Sequence, residues 1–418
     1  MVALYNLLLL LLLPFWVPWM FWRASRRKAS VNWAERTGAY TLDLRQGSER
    51  IWIHAVSVGE VLSTIPLVKA LREEFENPEI ILSTTTSSGH QAALGLAEGA
   101  VDHVIYFPID VPRFVLRALL TVKPKAILIM ETELWLNFLW MARRLGVKTA
   151  IVNGRISDKH YPRMKSIRPY YSTLFSYLDR VWAQTDRDRQ RFAEFGAEGA
   201  RTIGNCKFDQ GAGDVKVDPG VLRASLNIPV DALVLVVGST RGGAEEALVI
   251  SAVKALQTPS VYVVHAPRHL ETAPALAEAV KAAFGSVALR SRGETGRYLV
   301  LDTYGELAEL YAVADVAVVG GAFEDLGGQN ILQPLALGKP VLHGPNMQNF
   351  RDIADLADRA SASIVCQDSH QLAYHLDELF GDKHLRETMG AAAKDLVEKQ
   401  RGVSKRYAGL VRELVESK

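Results

Sequence analysis

The sequence predicts an α/β protein made of two doubly wound, parallel-sheet domains facing a cleft, behind an apolar N-terminal helix. Three observations carry that prediction. Short β-rich runs alternate with helix-periodic runs along both halves of the chain. Its 418 residues suffice for two domains of ordinary size. The alternation lapses once, in the Gly- and Asp-rich stretch GNCKFDQGAGDVKVD (204–218). Strict alternation of this kind argues for parallel strands with helices on both faces.

The elements follow in order. Val2 to Trp22 is an apolar run whose only polar members are Tyr5 and Asn6, and about 20 apolar residues cross the hydrocarbon core of a bilayer. Trp16, Trp19 and Trp22 are followed by Arg23, Arg26, Arg27 and Lys28, an aromatic belt and basic flank of the kind found on the cytoplasmic side. No positive side chain precedes the run, so an uncleaved anchor is expected rather than a signal peptide. Pro14 and Pro18 leave open a kinked segment that only dips into one leaflet. Strands are expected at Arg50–Val56, Glu79–Thr84, His103–Phe107, Ala126–Met130, Thr149–Val152 and Arg180–Ala183. In the second half they are expected at Leu233–Val237, Val261–His265, Tyr298–Leu301, Val316–Val319, Val341–His343 and Ser363–Val365. A helix is expected over Glu133–Leu145, and an amphipathic one over the last residues, with Tyr407, Leu410, Val411 and Leu414 on one face. The expected organisation is an anchor with its basic flank (1–28), a first Rossmann-like domain (29–208), a second (209–400) and a C-terminal helix (401–418).

Composition narrows the function. Hydrophobic residues make up 49% and charged residues 22%, enough to bury sizeable cores. Two cysteines, Cys206 and Cys366, exclude a disulfide framework or a cysteine-built zinc site and suit a reducing compartment. The net charge of +2 conceals 25 basic and 19 acidic residues in 1–200, a first half biased toward something anionic. No nucleic-acid-binding pattern accompanies that bias, so no nucleic acid partner is expected.

Candidate chemistry gathers at strand ends, where open α/β sheets bind their ligands. Glu60 follows Gly59 in HAVSVGE (54–60), and Glu131 and Glu133 lie in LIMETELWLN after a fully apolar strand. The bland reading of the last two is a pair of first-turn acids favoured by the helix dipole. At Glu60 the same dipole should hold the carboxylate ionised. The second half offers VVGGAFEDLGGQN (318–330), APRH (266–269), TYGEL (303–307) and GSTRGGAEE (238–246), each after a strand. Glycine-rich turns of this sort let backbone N–H groups approach an anion. The DRD of Asp186–Asp188 is a metal-site pattern in one class of sugar transferases, but Thr185 fits it equally as a helix cap. A metal-free site is expected.

Together these stretches resemble the 3-deoxy-D-manno-octulosonic acid (Kdo) transferases. The resemblance rests on AERTG (34–38), HAVSVGE, METELW (130–135), NGRIS (153–157), GNCKFD (204–209), APRH, YGEL and VGG…GGQN, in that order, behind the apolar N-terminus. It implies two Rossmann-like domains of the GT-B type and inverting, metal-independent transfer of Kdo from CMP-Kdo to a lipid A precursor at the bacterial inner membrane, against anionic lipid. It also implies roles for particular residues. Glu60 matches the general base, Glu131 the acceptor-side carboxylate and Lys207 the motif lysine. Ser57, Gly59 and Arg155 fall in the substrate-binding segments of the first half. Pro267, Arg268, Gly305, Glu306, Gly328, Asn330 and Gln333 fall in the segments that hold CMP. The chain departs from the family pattern at Gln329 and Gln333, where His and Glu are usual, and at Leu136 and Arg241. Other classes compatible with the motifs are a sugar-nucleotide epimerase and an inactive tethered binding protein. A nicotinamide dehydrogenase is disfavoured, because neither half opens with GxGxxG and a ribose-binding acid.

Overall fold

The structure, a computed structural model, describes residues 1–26, 32–96, 99–210 and 218–417. It divides into two compact units. The first comprises Met1–Gln210 with Gly402–Lys418, the second Gly211–Arg401. The C-terminal helix therefore belongs to the first unit and is not a separate appendage.

In the first unit β1 (Arg50–His54), β2 (Glu79–Thr84), β3 (His103–Tyr106), β4 (Ala126–Met130), β5 (Lys148–Gly154), β6 (Arg180–Ala183) and β7 (Arg201–Thr202) form one sheet. Its order is β3-β2-β1-β4-β5-β6-β7 and every pairing is parallel. The strands are buried on both faces, which is why β4 reads as an unbroken apolar run. Side chains alternate across the sheet. Trp52, Ile127 and Ile129 enter one core, and Ile51, Ile53, Leu128 and Met130 enter the other. Strand order reverses between β1 and β4, and there the two following connections diverge to opposite faces and leave a crevice.

The second unit repeats the plan. Its strands are β8 (Val234–Thr240), β9 (Tyr262–Pro267), β10 (Ala288–Leu289), β11 (Tyr298–Val300), β12 (Val316–Val319), β13 (Val341–His343) and β14 (Ser363–Val365). The order β10-β11-β9-β8-β12-β13-β14 puts its reversal between β8 and β12. The two-residue strands β7 and β10 have no counterpart in the sequence reading, because neither carries an apolar run of its own.

One other expectation changes. The helix expected over Glu133–Leu145 runs from Leu136 to Arg144, so Glu131 and Glu133 lie in a loop and are not first-turn acids. Further along, two short helices, Tyr161–Ser166 and Arg168–Ser176, meet at Ile167. Asp188 accepts from the Thr185 hydroxyl (2.6 Å) and the Ile156 N–H (2.9 Å), while Asp186 accepts from the Thr202 hydroxyl. Both acids of the DRD are thus spoken for by a helix cap and by loop bracing.

The N-terminal helix spans Val2–Arg26 and contains Pro14 and Pro18. Among the described residues no helix is long and apolar enough to cross a membrane. Arg27 and Lys28 of the expected basic flank lie outside the described residues, as do the side chains of Trp16, Arg23 and Arg26.

At the far end of the chain, helix Val403–Glu416 lays Val403, Tyr407, Val411 and Leu414 into the core beside helix Val58–Glu74. Asp209 receives the N–H groups of Gly402 (2.7 Å) and Ser404 (2.6 Å), and Tyr407 donates to the Gly204 carbonyl (2.9 Å). The carboxylate caps the helix start and ties it to GNCKFD. Asp209→Ala should lower stability toward urea by about 1–2 kcal/mol, the cost of losing a good cap. An unchanged unfolding midpoint would show that the helix is held by packing alone.

Candidate active site

The first-unit crevice is built from the connections after β1, β2, β4 and β5. Ser57 caps helix Val58–Glu74 by accepting the Glu60 N–H (3.3 Å). Glu60 answers through Oε1, which takes the Ser57 hydroxyl (2.9 Å), and Oε2, which takes the Val56 N–H (2.8 Å). This reciprocal arrangement is a variant of the capping box in which the carboxylate takes the N–H one residue before the cap. The Ser-x-x-Glu spacing before an apolar run is the signal that announces it in the sequence. The Thr86 hydroxyl donates to the Val56 carbonyl (2.6 Å) and fixes the loop from the β2 side. Ser57, Val58 and Gly59 are exposed around the half-buried Glu60.

The second wall is the loop after β4. Glu131 still donates its N–H to the Val152 carbonyl (3.1 Å), yet it adopts φ +55°, a left-handed conformation uncommon for a residue with a side chain. Backbone held this way is over-determined by its surroundings and concentrates at functional sites. The next residue, Thr132, donates its hydroxyl to the Arg155 carbonyl and lashes the loop to the end of β5. The helix that follows begins under Asp110, which accepts from the N–H groups of Asn137 (3.1 Å) and Phe138 (2.9 Å). Burial pushes the Asp110 carboxyl up to about 6, against those hydrogen bonds.

Three carboxyl groups therefore share this crevice, and their electrostatics differ from the sequence expectation. Burial pushes Glu60 up to about 7; the neighbouring Glu131 charge adds to the rise and Glu133 adds less. The Val56 N–H and Ser57 hydroxyl oppose the shift without cancelling it. The helix start does not hold Glu60 fully ionised at neutral pH. Desolvation and like charge outweigh the dipole, which is worth only about 0.3–1 kcal/mol at a helix end. Burial also raises Glu133.

Arg155 follows β5, and Lys207 follows β7, two strands along the same sheet. Asn153, itself at φ +56°, accepts the Cys206 N–H on Oδ1 (3.0 Å), and its carbonyl takes the Gln184 amide (2.9 Å). Asn205 donates to Gln184 (2.9 Å) and accepts the Lys207 N–H (3.0 Å). NGRIS and GNCKFD are thus one hydrogen-bonded unit presenting Arg155 and Lys207, both half-buried. What brings the two motifs together is the amide ladder, whose members read as ordinary polar residues in the sequence.

In the second unit the expected segments lie at the corresponding strand ends. Glu245, almost wholly buried, accepts the N–H groups of Arg241 (2.7 Å), Gly321 (2.7 Å), Ala322 (3.1 Å) and Phe323 (3.2 Å). One carboxylate therefore shapes the glycine-rich turn after β12 from the adjoining β8 connection. Within GSTRGGAEE it was legible only as a helix-entry acid. Gly327 and Gly328 take φ +88° and +75°, and side chains there would strike Asn349 and Met347. Gly328 is thus a packing glycine, while Asn330 caps the next helical turn through the Leu332 N–H (3.0 Å). Glu306 receives Arg290 Nε (2.8 Å) and the Thr303 hydroxyl. Burial works against its ionised form, but these partners prevail and hold it below the usual range. Arg268 is placed by its N–H on the Thr240 carbonyl (2.8 Å), and its side chain is exposed without a hydrogen-bond partner among the described residues. Pro267 ends β9, Gly305 takes φ +91°, and Gln329 and Gln333 are half-buried.

Comparison with known proteins bears on the family and the fold. Residues 31–210 match the family model described as 3-Deoxy-D-manno-octulosonic-acid transferase (kdotransferase). The chain is 34% identical over 371 residues to the 3-deoxy-D-manno-octulosonic acid transferase of Bordetella pertussis, covering 85% of each chain. Its fold is similar to a glycosyltransferase from Rickettsia africae (TM-score 0.62, 12% identity, 89% of this chain and 100% of that one). It is equally similar to a putative UDP-N-acetylglucosamine 2-epimerase from Listeria monocytogenes (TM-score 0.61, 13% identity, 89% and 98%). At those identities the structures show the two-domain fold alone.

The electrostatics give a direct test. A carbon-detected NMR titration should find Glu60 with a midpoint near 7, and Glu131→Gln should move that midpoint down by removing the neighbouring charge. Because its pKa is raised on folding, Glu60 contributes stability at low pH and loses it as pH rises through about 7. Glu60→Gln should therefore be at least as stable as the parent at pH 8. A midpoint near 4.5 in the parent would contradict the burial and like-charge account.

Proposed function

The chain belongs to the 3-deoxy-D-manno-octulosonic acid transferase family, and from that premise we propose that it transfers Kdo from CMP-Kdo to a lipid A precursor in lipopolysaccharide synthesis. The single observation that carries this reading is Glu60, a carboxylate poised near 7 at the reversal of strand order in the first unit. A general base works best when its pKa lies near the operating pH. In the proposed step Glu60 takes the proton of an acceptor hydroxyl as that oxygen forms a bond to the anomeric carbon of Kdo. The bond from that carbon to the CMP phosphate breaks on the opposite side, which inverts the centre.

CMP departs as a phosphate anion and needs positive charge and N–H donors. In the second unit Arg268 supplies the charge and the glycine-rich turn after β12 the N–H groups, and the proposed reaction needs no metal. Glu131 and Glu133 are assigned to the acceptor side, where their charge also sets the basicity of Glu60. Glu306 is committed to Arg290, so its part in CMP binding is assigned to the backbone of the Thr303–Glu306 turn.

The same reading puts the protein at the cytoplasmic face of the bacterial inner membrane. The support is the apolar N-terminal helix, with Leu7, Leu10, Leu11, Phe15 and Trp19 each about half exposed or more. Exposed apolar surface of that extent marks an interaction site. The exposed Arg163, Lys165 and Arg168 add positive charge for anionic lipid and acceptor phosphates.

Two measurements test the assignment. Glu60→Gln retains groups able to fill the capping box but cannot take the proton. It should fold, bind CMP, and lose about 10²–10⁴ in turnover, measured by mass spectrometry of the glycolipid formed from CMP-Kdo and a tetraacylated lipid A precursor. Retention of more than about a tenth of parent turnover would move the base to Glu131 or Glu133. Arg268→Ala should weaken CMP binding by about 1.5–3 kcal/mol in calorimetry, the worth of a hydrogen bond to a charged group. Unchanged affinity would remove Arg268 from the donor site.

A further inference from the structure

The two polar residues of the apolar N-terminal run have partners. The Tyr5 hydroxyl donates to Asp110 Oδ2 (3.0 Å), and Asn6 exchanges two amide hydrogen bonds with Asn137 (2.8 Å each). Val2 and Tyr5 pack against the first unit's core, and the Tyr5 ring lies 6.1 Å from that of Tyr170. Asn137 lies in the first turn of helix Leu136–Arg144, just after the loop of Glu131 and Glu133, and Asp110 caps that turn by accepting the Asn137 N–H. The first turn of the N-terminal helix is thus docked on the catalytic unit.

The other end of the helix returns to the same unit. Arg26 ends it, and Asn32 begins the helical turn Trp33–Arg36. That turn is fastened by Glu35 to the Tyr106 N–H (2.6 Å) and by Arg36 to the Phe107 carbonyl (3.3 Å). Six residue steps reach at most about 20 Å, so both helix ends are confined to one side. The stretch beyond the docked first turn, Leu7 to Trp22, is about 24 Å long at 1.5 Å per residue, short of the roughly 30 Å hydrocarbon core. Pro14 and Pro18 interrupt it further.

From this geometry we propose that the N-terminal helix does not cross the bilayer but lies in a single leaflet, latched to the catalytic unit through Tyr5–Asp110 and Asn6–Asn137. The proposal rests on the membrane reading given above and adds its topology. The apolar side chains of Leu7, Leu10, Phe15 and Trp19 enter the acyl region from the same face on which the acceptor's phosphates stand. The latch fixes the depth of the helix relative to the Glu131–Glu133 loop. Tyr5 and Asn6 are positioning residues, and neither touches the reacting atoms.

The test uses the full-length protein in bacterial membranes, with single cysteines at Ala3→Cys and, on the catalytic unit, at the exposed Glu76→Cys. The native Cys206 and Cys366 are buried and provide the background. A membrane-impermeant maleimide should label neither site in spheroplasts and both in inside-out vesicles. Labelling of residue 3, but not residue 76, in spheroplasts would overturn the proposal by showing a crossing helix. Tyr5→Phe combined with Asn6→Leu removes the latch and leaves no polar side chain between Val2 and Trp22. In that background a measurable fraction of residue 3 should appear on the side opposite residue 76. If it does not, the latch is not what sets the topology. Recovery of the parent in the soluble fraction would instead overturn the membrane reading itself, and the leaflet proposal with it.

Discussion

A carboxylate beside another carboxylate, both partly withdrawn from water, is the interaction on which the site depends. Glu60 gains two hydrogen bonds from its capping box, and those alone would hold it as an ordinary ionised acid. Burial, followed by the charges of Glu131 and Glu133, pulls the other way and brings it up to about 7. The balance requires the loops after β1 and β4 to approach closely, and the sheet supplies that approach at its order reversal. Glu131 is held there in a left-handed backbone conformation.

The supporting structure makes sense as what keeps that approach fixed. Thr86 and Thr132 tie the two loops to neighbouring strand ends, and Asp110 anchors the helix that follows the Glu131 loop. The amide ladder through Asn153, Gln184 and Asn205 carries Lys207 to the same edge. Asp209 then uses the next residues of that motif to pin the C-terminal helix against helix Val58–Glu74. In the second unit Glu245 does comparable work for the glycine-rich turn, with four N–H groups on one buried carboxylate.

Periodicity and composition made most of the fold legible. The long apolar strands, such as Ala126–Met130, were readable because burial on both faces leaves no polar position within them. Strands β7 and β10 were not, since two residues carry no period. The helix after METELW was placed too early because Glu131 and Glu133 look like first-turn acids. Only the backbone angle of Glu131 and the cap from Asp110, distant in sequence, put the start at Leu136. The candidate acids themselves were visible as strand-end carboxylates. Their mutual repulsion was not, because it depends on distances between loops separated by about 70 residues. Tyr5 and Asn6 stood out as exceptions in an apolar run, but their partners Asp110 and Asn137 could only be found in three dimensions.

The measurement that reaches the central claim most directly is the pH dependence of Kdo transfer at saturating donor and acceptor, in the parent and in Glu60→Gln. The account predicts a parent rate that rises with pH through a single ionisation near 7, the midpoint set by burial and Glu131. The residual rate of Glu60→Gln should show no such ionisation. An acid limb that persists in Glu60→Gln with the same midpoint would mean that another group gives up the catalytic proton site, and would contradict the account.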